Sequence, residues 1–342
     1  MRRAVIVANA SVSVGGGHLR RCLSLGASLA ATGWKVIVVA TDPGFAEMMV
    51  GSEKIEVMTV QEYAGEILSK ALPDGCDLLV VDHYGLDASF EIGCRGWAKL
   101  ILVVDDLADR PHNCDILLDQ TPGREISAYQ ALIPASCRIL AGAKYALLRP
   151  SFGLMRNSWR PAAERVQRGH ISFGATDPDD MTSVAIDAFE RSGLMLQLDI
   201  ILGGSAPHIE RVKAAAANFA GGEAKVYVEI GDPASIVRHA DIAIGAGGVS
   251  ALERCCLGVP SLIVSVADNQ MGNALGISRA GGAEFVGKKS EIDCSMLASR
   301  LRELASDSKR REAMAACGRE LCDGLGSDRV TDLIGRWCRS HA

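Results

Sequence analysis

Short apolar, β-branched runs alternate along this chain with amphipathic stretches of helical length, a pattern that predicts βα units around parallel sheets. In the first half the runs fall at residues 4–8, 35–40, 78–82, 100–105 and 116–119. They are apolar throughout instead of alternating, as expected of strands covered on both faces. Residues 19–32 have helical spacing, and Gly33 is placed to end that helix. Around residues 151–166, Pro161 and a mixture of Arg, Asn and Ser break the periodicity in the manner of a linker. The rhythm restarts at 169–173, 198–202, 225–229, 242–245 and 261–266. The expectation is an α/β protein of two Rossmann-like doubly wound domains facing a cleft, 1–150 and 167–329. Residues 330–342 form a C-terminal helix for which packing back on the first domain is one arrangement. Ligands of such sheets bind beyond the carboxyl ends of the strands.

Composition narrows the function classes. A chain of 342 residues can bury two cores, and 48% hydrophobic with 23% charged residues excludes a disordered chain. With 36 Lys and Arg against 41 Asp and Glu, the net charge of −5 gives no electrostatic footprint for nucleic acid or anionic membrane. No apolar run approaches the ~18 residues of a membrane span. The basic start Met1-Arg2-Arg3 lacks the apolar centre of a signal peptide, so a cytoplasmic protein is expected. The 11 cysteines are scattered without a CxxC pair, which reads as buried thiols in a reducing compartment.

Candidate chemistry gathers where strands end. The loop Gly15-Gly16-Gly17-His18 follows a strand and opens a helix, offering close backbone approach, free amides and a positive dipole end. His18 at that helix end is expected to resist protonation and serve as a base near neutral pH. A dinucleotide fingerprint is the rival for this loop, with Asp42 as a ribose acid, but Arg20 stands where its third glycine belongs. A second strand ends in Gly245-Ala246-Gly247-Gly248-Val249-Ser250. There the amides of Gly247, Gly248 and Val249 and the Ser250 hydroxyl suit a diphosphate, and Glu253 suits ribose hydroxyls. Further strand ends carry Asp82-His83-Tyr84-Gly85, Asp105-Asp106 with His112, Gly174-Ala175-Thr176-Asp177, and Asp268-Asn269-Gln270. The Asp105-Asp106 group lacks a metal-ligand spacing, so no metal and no cofactor are expected.

Together these segments resemble the UDP-2,4-diacetamido-2,4,6-trideoxy-β-L-altropyranose hydrolases of pseudaminic acid biosynthesis, relatives of the MurG-type glycosyltransferases. The resemblance runs over residues 4–285 and is carried by Gly15-Gly16-Gly17-His18 with Arg21-Cys22, by Asp82-His83-Tyr84-Gly85, and by Asp105-Asp106-Leu107-Ala108-Asp109-Arg110 with His112. Residues 114–120, 145–149 and 174–178, Glu253-Arg254-Cys255 and Asp268-Asn269-Gln270 extend it. It implies a glycosyltransferase-B fold and metal-independent hydrolysis of a UDP-sugar, with His18 as general base and His83 and Tyr84 lining the sugar pocket. It also implies UDP on Gly247, Gly248, Val249, Ser250 and Glu253. Gly16, Gly17, Arg21, Gly174, Thr176, Asp268, Asn269 and Gln270 would meet the sugar or the diphosphate. Asn9 and Val7 depart from the family's usual Asp and Arg, and Ala175 from a usual glycine. A glycosyltransferase using a UDP-sugar donor is the alternative; an NAD-dependent oxidoreductase and a non-catalytic nucleotide-sugar binder are the remaining readings.

Overall fold

The computed structural model describes residues 1–9, 16–51, 55–157, 161 and 163–340. The chain divides into two compact units, Met1–Pro150 with Leu325–Ala342, and Ser151–Gly324.

The first unit holds seven strands: β1 (Arg3–Ala8), β2 (Lys35–Ala40), β3 (Glu56–Thr59), β4 (Leu78–Asp82), β5 (Ile101–Val104), β6 (Ile116–Asp119) and β7 (Arg138–Ala141). They form one parallel sheet in the order β3-β2-β1-β4-β5-β6-β7. Side chains of β1 alternate between its faces: Ala4, Ile6 and Ala8 enter one apolar cluster, Val5 and Val7 the other. Burial on both faces explains the unbroken apolar runs. Val7 is fully buried in this way, so an arginine at its position would place a charge in the apolar layer. The first helix, Gly17–Ala31, packs Leu19, Cys22, Leu23, Leu25 and Leu29 on the sheet.

The second unit holds β8 (Arg168–Ser172), β9 (Leu196–Leu202), β10 (Gly222–Val228), β11 (Ile242–Ala246), β12 (Ser261–Ser265) and β13 (Glu284–Lys288). These are parallel in the order β10-β9-β8-β11-β12-β13. In each sheet the order reverses once, between β1 and β4 and between β8 and β11. There the connections leave the carboxyl ends in opposite directions, which opens a crevice for a ligand.

Two segments differ from the sequence expectation. The stretch read as a linker begins with a helix, Pro150–Arg156, whose Arg156 donates to the Cys322 carbonyl at 3.0 Å. The final helix begins earlier than expected, at Gly326, and runs to Ser340. Its Val330 and Ile334 are fully buried in the core of the first unit, and Ser28 donates to Asp328 at 2.8 Å. No described helix is long and apolar enough to cross a membrane.

Because Ile334 fills that core from the far end of the chain, Ile334→Ala should destabilise the first unit by about 2–5 kcal/mol. Three of the four tryptophans, Trp34, Trp97 and Trp337, belong to that unit and Trp159 to the other, so urea unfolding followed by tryptophan fluorescence of a Trp159→Phe background reads it. An unchanged midpoint would show that the helix does not stabilise the unit.

Candidate functional site

In the first unit, Asp82 is the last residue of β4, paired in register with Ala8 at the end of β1. It lies at the point where the strand order reverses. His18 and Arg21, three apart on the first helix, share the face turned to it. His18 Nδ1 is 2.6 Å from Asp82 Oδ1. Arg21 donates from Nε to Oδ2 at 2.6 Å, from Nη2 to Oδ1 at 2.7 Å, and from Nη1 to Asp106 Oδ2 at 2.7 Å. The other Asp106 oxygen accepts the Tyr84 hydroxyl at 2.8 Å. The Tyr84 ring stands edge-on to His18 with centroids 4.5 Å apart.

Burial alone would raise the Asp82 carboxyl, but the charges and hydrogen bonds of Arg21 and His18 outweigh it and hold the group well below the usual carboxylate range. An ionised Asp82 only accepts. His18 Nδ1 therefore carries the ring proton toward it, and Nε2 keeps its lone pair. His18 stands in the first turn of the helix, and Asp82 sets its tautomer. The expectation for Arg21 is corrected: it is buried and committed to two aspartates, so it acts as a clamp on carboxylates and not as a ligand for sugar or diphosphate. Burial works against its charge, and Asp82 and Asp106 overcome this.

A second layer fixes Asp106. Tyr129 bridges Asp105 and Asp119 at 3.0 and 2.9 Å. Arg124 pairs with Asp119 and donates to the Asp106 carbonyl, both at 2.5 Å. Arg110 lies 2.9 Å from Asp105 and 5.8 Å from the Tyr84 ring centre. The aspartates of this segment are thus taken up by cations and hydroxyls. Among the described residues no group of three or more His, Cys, Asp or Glu could hold a metal ion. His83 accepts the Gly85 amide at Nδ1, 3.0 Å away. Burial, followed by the charge of His18, lowers its pKa. The neutral ring then carries its proton on Nε2, making His83 a donor and leaving it no free lone pair for a base. Gly15 lies outside the described residues; Gly16 caps the first helix and Gly17 begins it.

In the second unit, the helix Val249–Leu257 starts directly after β11, with Gly248 as its N-cap and no side chain capping it. Helix starts leave amides without intrahelical partners. The Gly247 amide, expected to be open, is already committed to the Val264 carbonyl at 3.1 Å and Gln270 Oε1 at 3.2 Å. Gln270 also accepts from Val266 at 3.3 Å, so its carbonyl holds the loop instead of facing a ligand. Asn273 secures the Gly247 and Gly248 carbonyls at 2.6 and 3.0 Å. Gly248, Val249 and Ser250 remain as the amides of the uncapped helix start. Glu253 is half-buried one turn further along. Gly174 and Thr176 follow β8, and Asp268 and Asn269 follow β12; the exposed Asp268 is 3.3 Å from Lys288.

Sequence reading missed Gly203-Gly204-Ser205, which follows β9. A Cβ on Gly203 would lie 2.2 Å from the Ala175 carbonyl oxygen, so glycine alone permits this approach. Ser205 Oγ is buried without a partner. A strand running into Gly-Gly-Ser was the available signal.

A family profile, "Glycosyltransferase family 28 C-terminal domain", matches residues 181–324. The chain is 26% identical to the spore coat polysaccharide biosynthesis protein SpsG of Bacillus subtilis, covering 79% of this chain and 78% of that one. It is 22% identical to the UDP-2,4-diacetamido-2,4,6-trideoxy-beta-L-altropyranose hydrolase of Campylobacter jejuni, over 60% of this chain and 71% of that one. The structure of Acinetobacter baumannii MurG superposes with a TM-score of 0.65 at 17% identity, covering 98% of this chain and all of the other (100%). Two parallel-sheet α/β units of seven and six strands, matching MurG, give this chain the glycosyltransferase-B fold.

Proposed function

We propose that the protein hydrolyses a UDP-linked 2,4-diacetamido-2,4,6-trideoxy sugar to free sugar and UDP, without a metal ion, as a step of pseudaminic acid biosynthesis. The observation that carries the reading is the His18–Asp82 pair, which leaves an oriented lone pair on Nε2. Water attacks the anomeric carbon, its proton passes to His18 Nε2, and the bond from that carbon to the diphosphate oxygen breaks. Its electron pair leaves with UDP, and the sugar inverts. Ionised Asp82 stabilises the imidazolium as it forms. Tyr84 and His83 line the sugar, with His83 donating. The amides of Gly248, Val249 and Ser250 receive the charge on departing UDP. Glu253 binds the ribose, and Gly16, Gly17, Gly174, Thr176, Asp268 and Asn269 complete the contacts. The C. jejuni relative supports the hydrolase reading. The family 28 profile favours a second one, transfer from a UDP-sugar to an acceptor other than water.

The two separate on one assay: UDP released from a panel of UDP-diacetamido sugars with neither acceptor nor oxidant present. A hydrolase frees UDP under these conditions, and a transferase that waits for its acceptor does not.

General-base catalysis contributes about 10²–10⁴-fold. His18→Asn should lower kcat by that order while leaving UDP affinity nearly unchanged. Asp82→Asn should do the same, because an amide donor at position 82 turns the His18 tautomer over. Steady-state kinetics beside UDP calorimetry checks both, and near-normal turnover of His18→Asn would remove the base from this position.

Glu253→Ala should act on binding. A charge-assisted bond to ribose is worth about 1.5–3 kcal/mol and is made equally in ground and transition states, so KM should rise by about 10–100-fold with kcat retained. A large fall in kcat at constant KM would contradict the assignment.

A further inference from the structure

Arg254 lies on the glycine-loop helix with its side chain 1% exposed, among the largest fully buried side chains of the protein. Helical side chains lean toward the N-terminus, and this one reaches back to the helix start. Nη2 donates to the Ala246 carbonyl at 2.9 Å and Nη1 lies 3.4 Å from Ser250 Oγ. Both acceptors are neutral, and Nε is buried with no partner. Arg311, equally buried, is likewise bonded to backbone carbonyls alone, those of Leu304, Ala305, Ala163 and Glu164, but Asp241 and Asp307 support its charge through space. Arg21 is matched by two carboxylates, whereas no carboxylate is bonded to Arg254 among the described residues.

The surroundings leave the charge uncompensated. His170 on β8 is buried beside it. Burial and the Arg254 charge push its pKa down to about 3, so it is neutral and contributes no counter-charge. Burial also lowers Arg254, to about 10, a value that still leaves it protonated at neutral pH. Glu253 and Cys255, its chain neighbours, oppose that shift only through space. The fold nonetheless reserves room for the guanidinium. A Cβ on Gly245 would stand 2.6 Å from Nη1 and 2.4 Å from the Ser172 carbonyl. Burying an unpaired cation is costly. What sets Arg254 apart is its place behind an uncapped helix start, where a bound anion would offset that cost.

We infer that Arg254 is a positioning residue of the nucleotide site, holding Ser250 and the turn at residues 245–247 from beneath and adding a permanent positive charge to the helix start, which the ligand's diphosphate neutralises. This rests on the proposal that UDP binds there. The contribution grows with ligand charge, because a buried charge is poorly screened.

Calorimetry of the full chain with uridine, UMP and UDP tests it. Arg254→Gln should weaken UDP by about 10–100-fold, UMP by less, and uridine hardly at all, and Arg254→Lys should recover most of the UDP loss. An equal loss for all three ligands, or none, would make Arg254 merely structural and overturn the inference. Should Arg254→Gln fail to fold, the wild-type protein decides by the ¹⁵N shift of the Arg254 Nε–H group. Saturating UDP should move it and uridine should not, and an unmoved signal with UDP bound overturns the inference. If the wild type binds neither UDP nor uridine, the nucleotide assignment fails by itself. Inorganic diphosphate then replaces the ligand series, and its binding must still depend on Arg254.

Discussion

A carboxylate buried at the end of a parallel strand has to be neutralised where it stands, and Asp82 sets that condition for the first unit. Arg21 meets both of its oxygens, His18 meets one, and Cys22 Sγ lies 3.4 Å from the other. Removing one partner of such a buried pair typically costs about 3–5 kcal/mol, so the rotation and entry of the first helix are fixed by this contact. With its folded pKa depressed, Asp82 contributes stability that is present above its unfolded pKa, about 3.9. That contribution is lost only as pH falls through the lower folded value. The tautomer of His18 follows from the same ionised group, and through Asp106 the constraint extends to Tyr84, Arg124 and Tyr129.

The two units repeat one device and complete it differently. Each has a strand order that reverses, a glycine-rich turn and a helix starting at the strand ends. In the first unit, side chains of both signs gather behind the helix start, around Asp82 and His18. In the second, backbone amides are left without a capping side chain, and the buried guanidinium of Arg254 lies behind them. Under the proposed function the first arrangement moves a proton and the second receives an anion.

Central strands were legible because burial on both faces leaves an unbroken apolar run, and β2, β4 and β6 match the sequence reading at both ends. The strands that escaped it, β3, β7 and β13, are all sheet edges. There one side of the strand meets solvent, and Glu56, Arg138 and Glu284 enter what would otherwise be apolar runs. The fourth edge, β10, was recognised three residues late because Gly222-Glu223-Ala224 carries no apolar run. Glycine turns announced both helix starts. Their partners did not appear in the pattern, since Asp82 and Asp106 reach Arg21 from 61 and 85 residues away, through strand order and register. Arg254 was visible as a residue, but its burial without a counter-ion is a property of packing.

The central claim is that water, activated at His18 Nε2, attacks carbon and not phosphorus. Hydrolysis of a UDP-diacetamido sugar in H₂¹⁸O, with mass spectrometry of both products and NMR of the nascent anomer, tests this most directly. The account predicts ¹⁸O in the free sugar, none in UDP, and an inverted anomeric centre. Label found in the β-phosphate of UDP, or a sugar released with retained configuration, would contradict it.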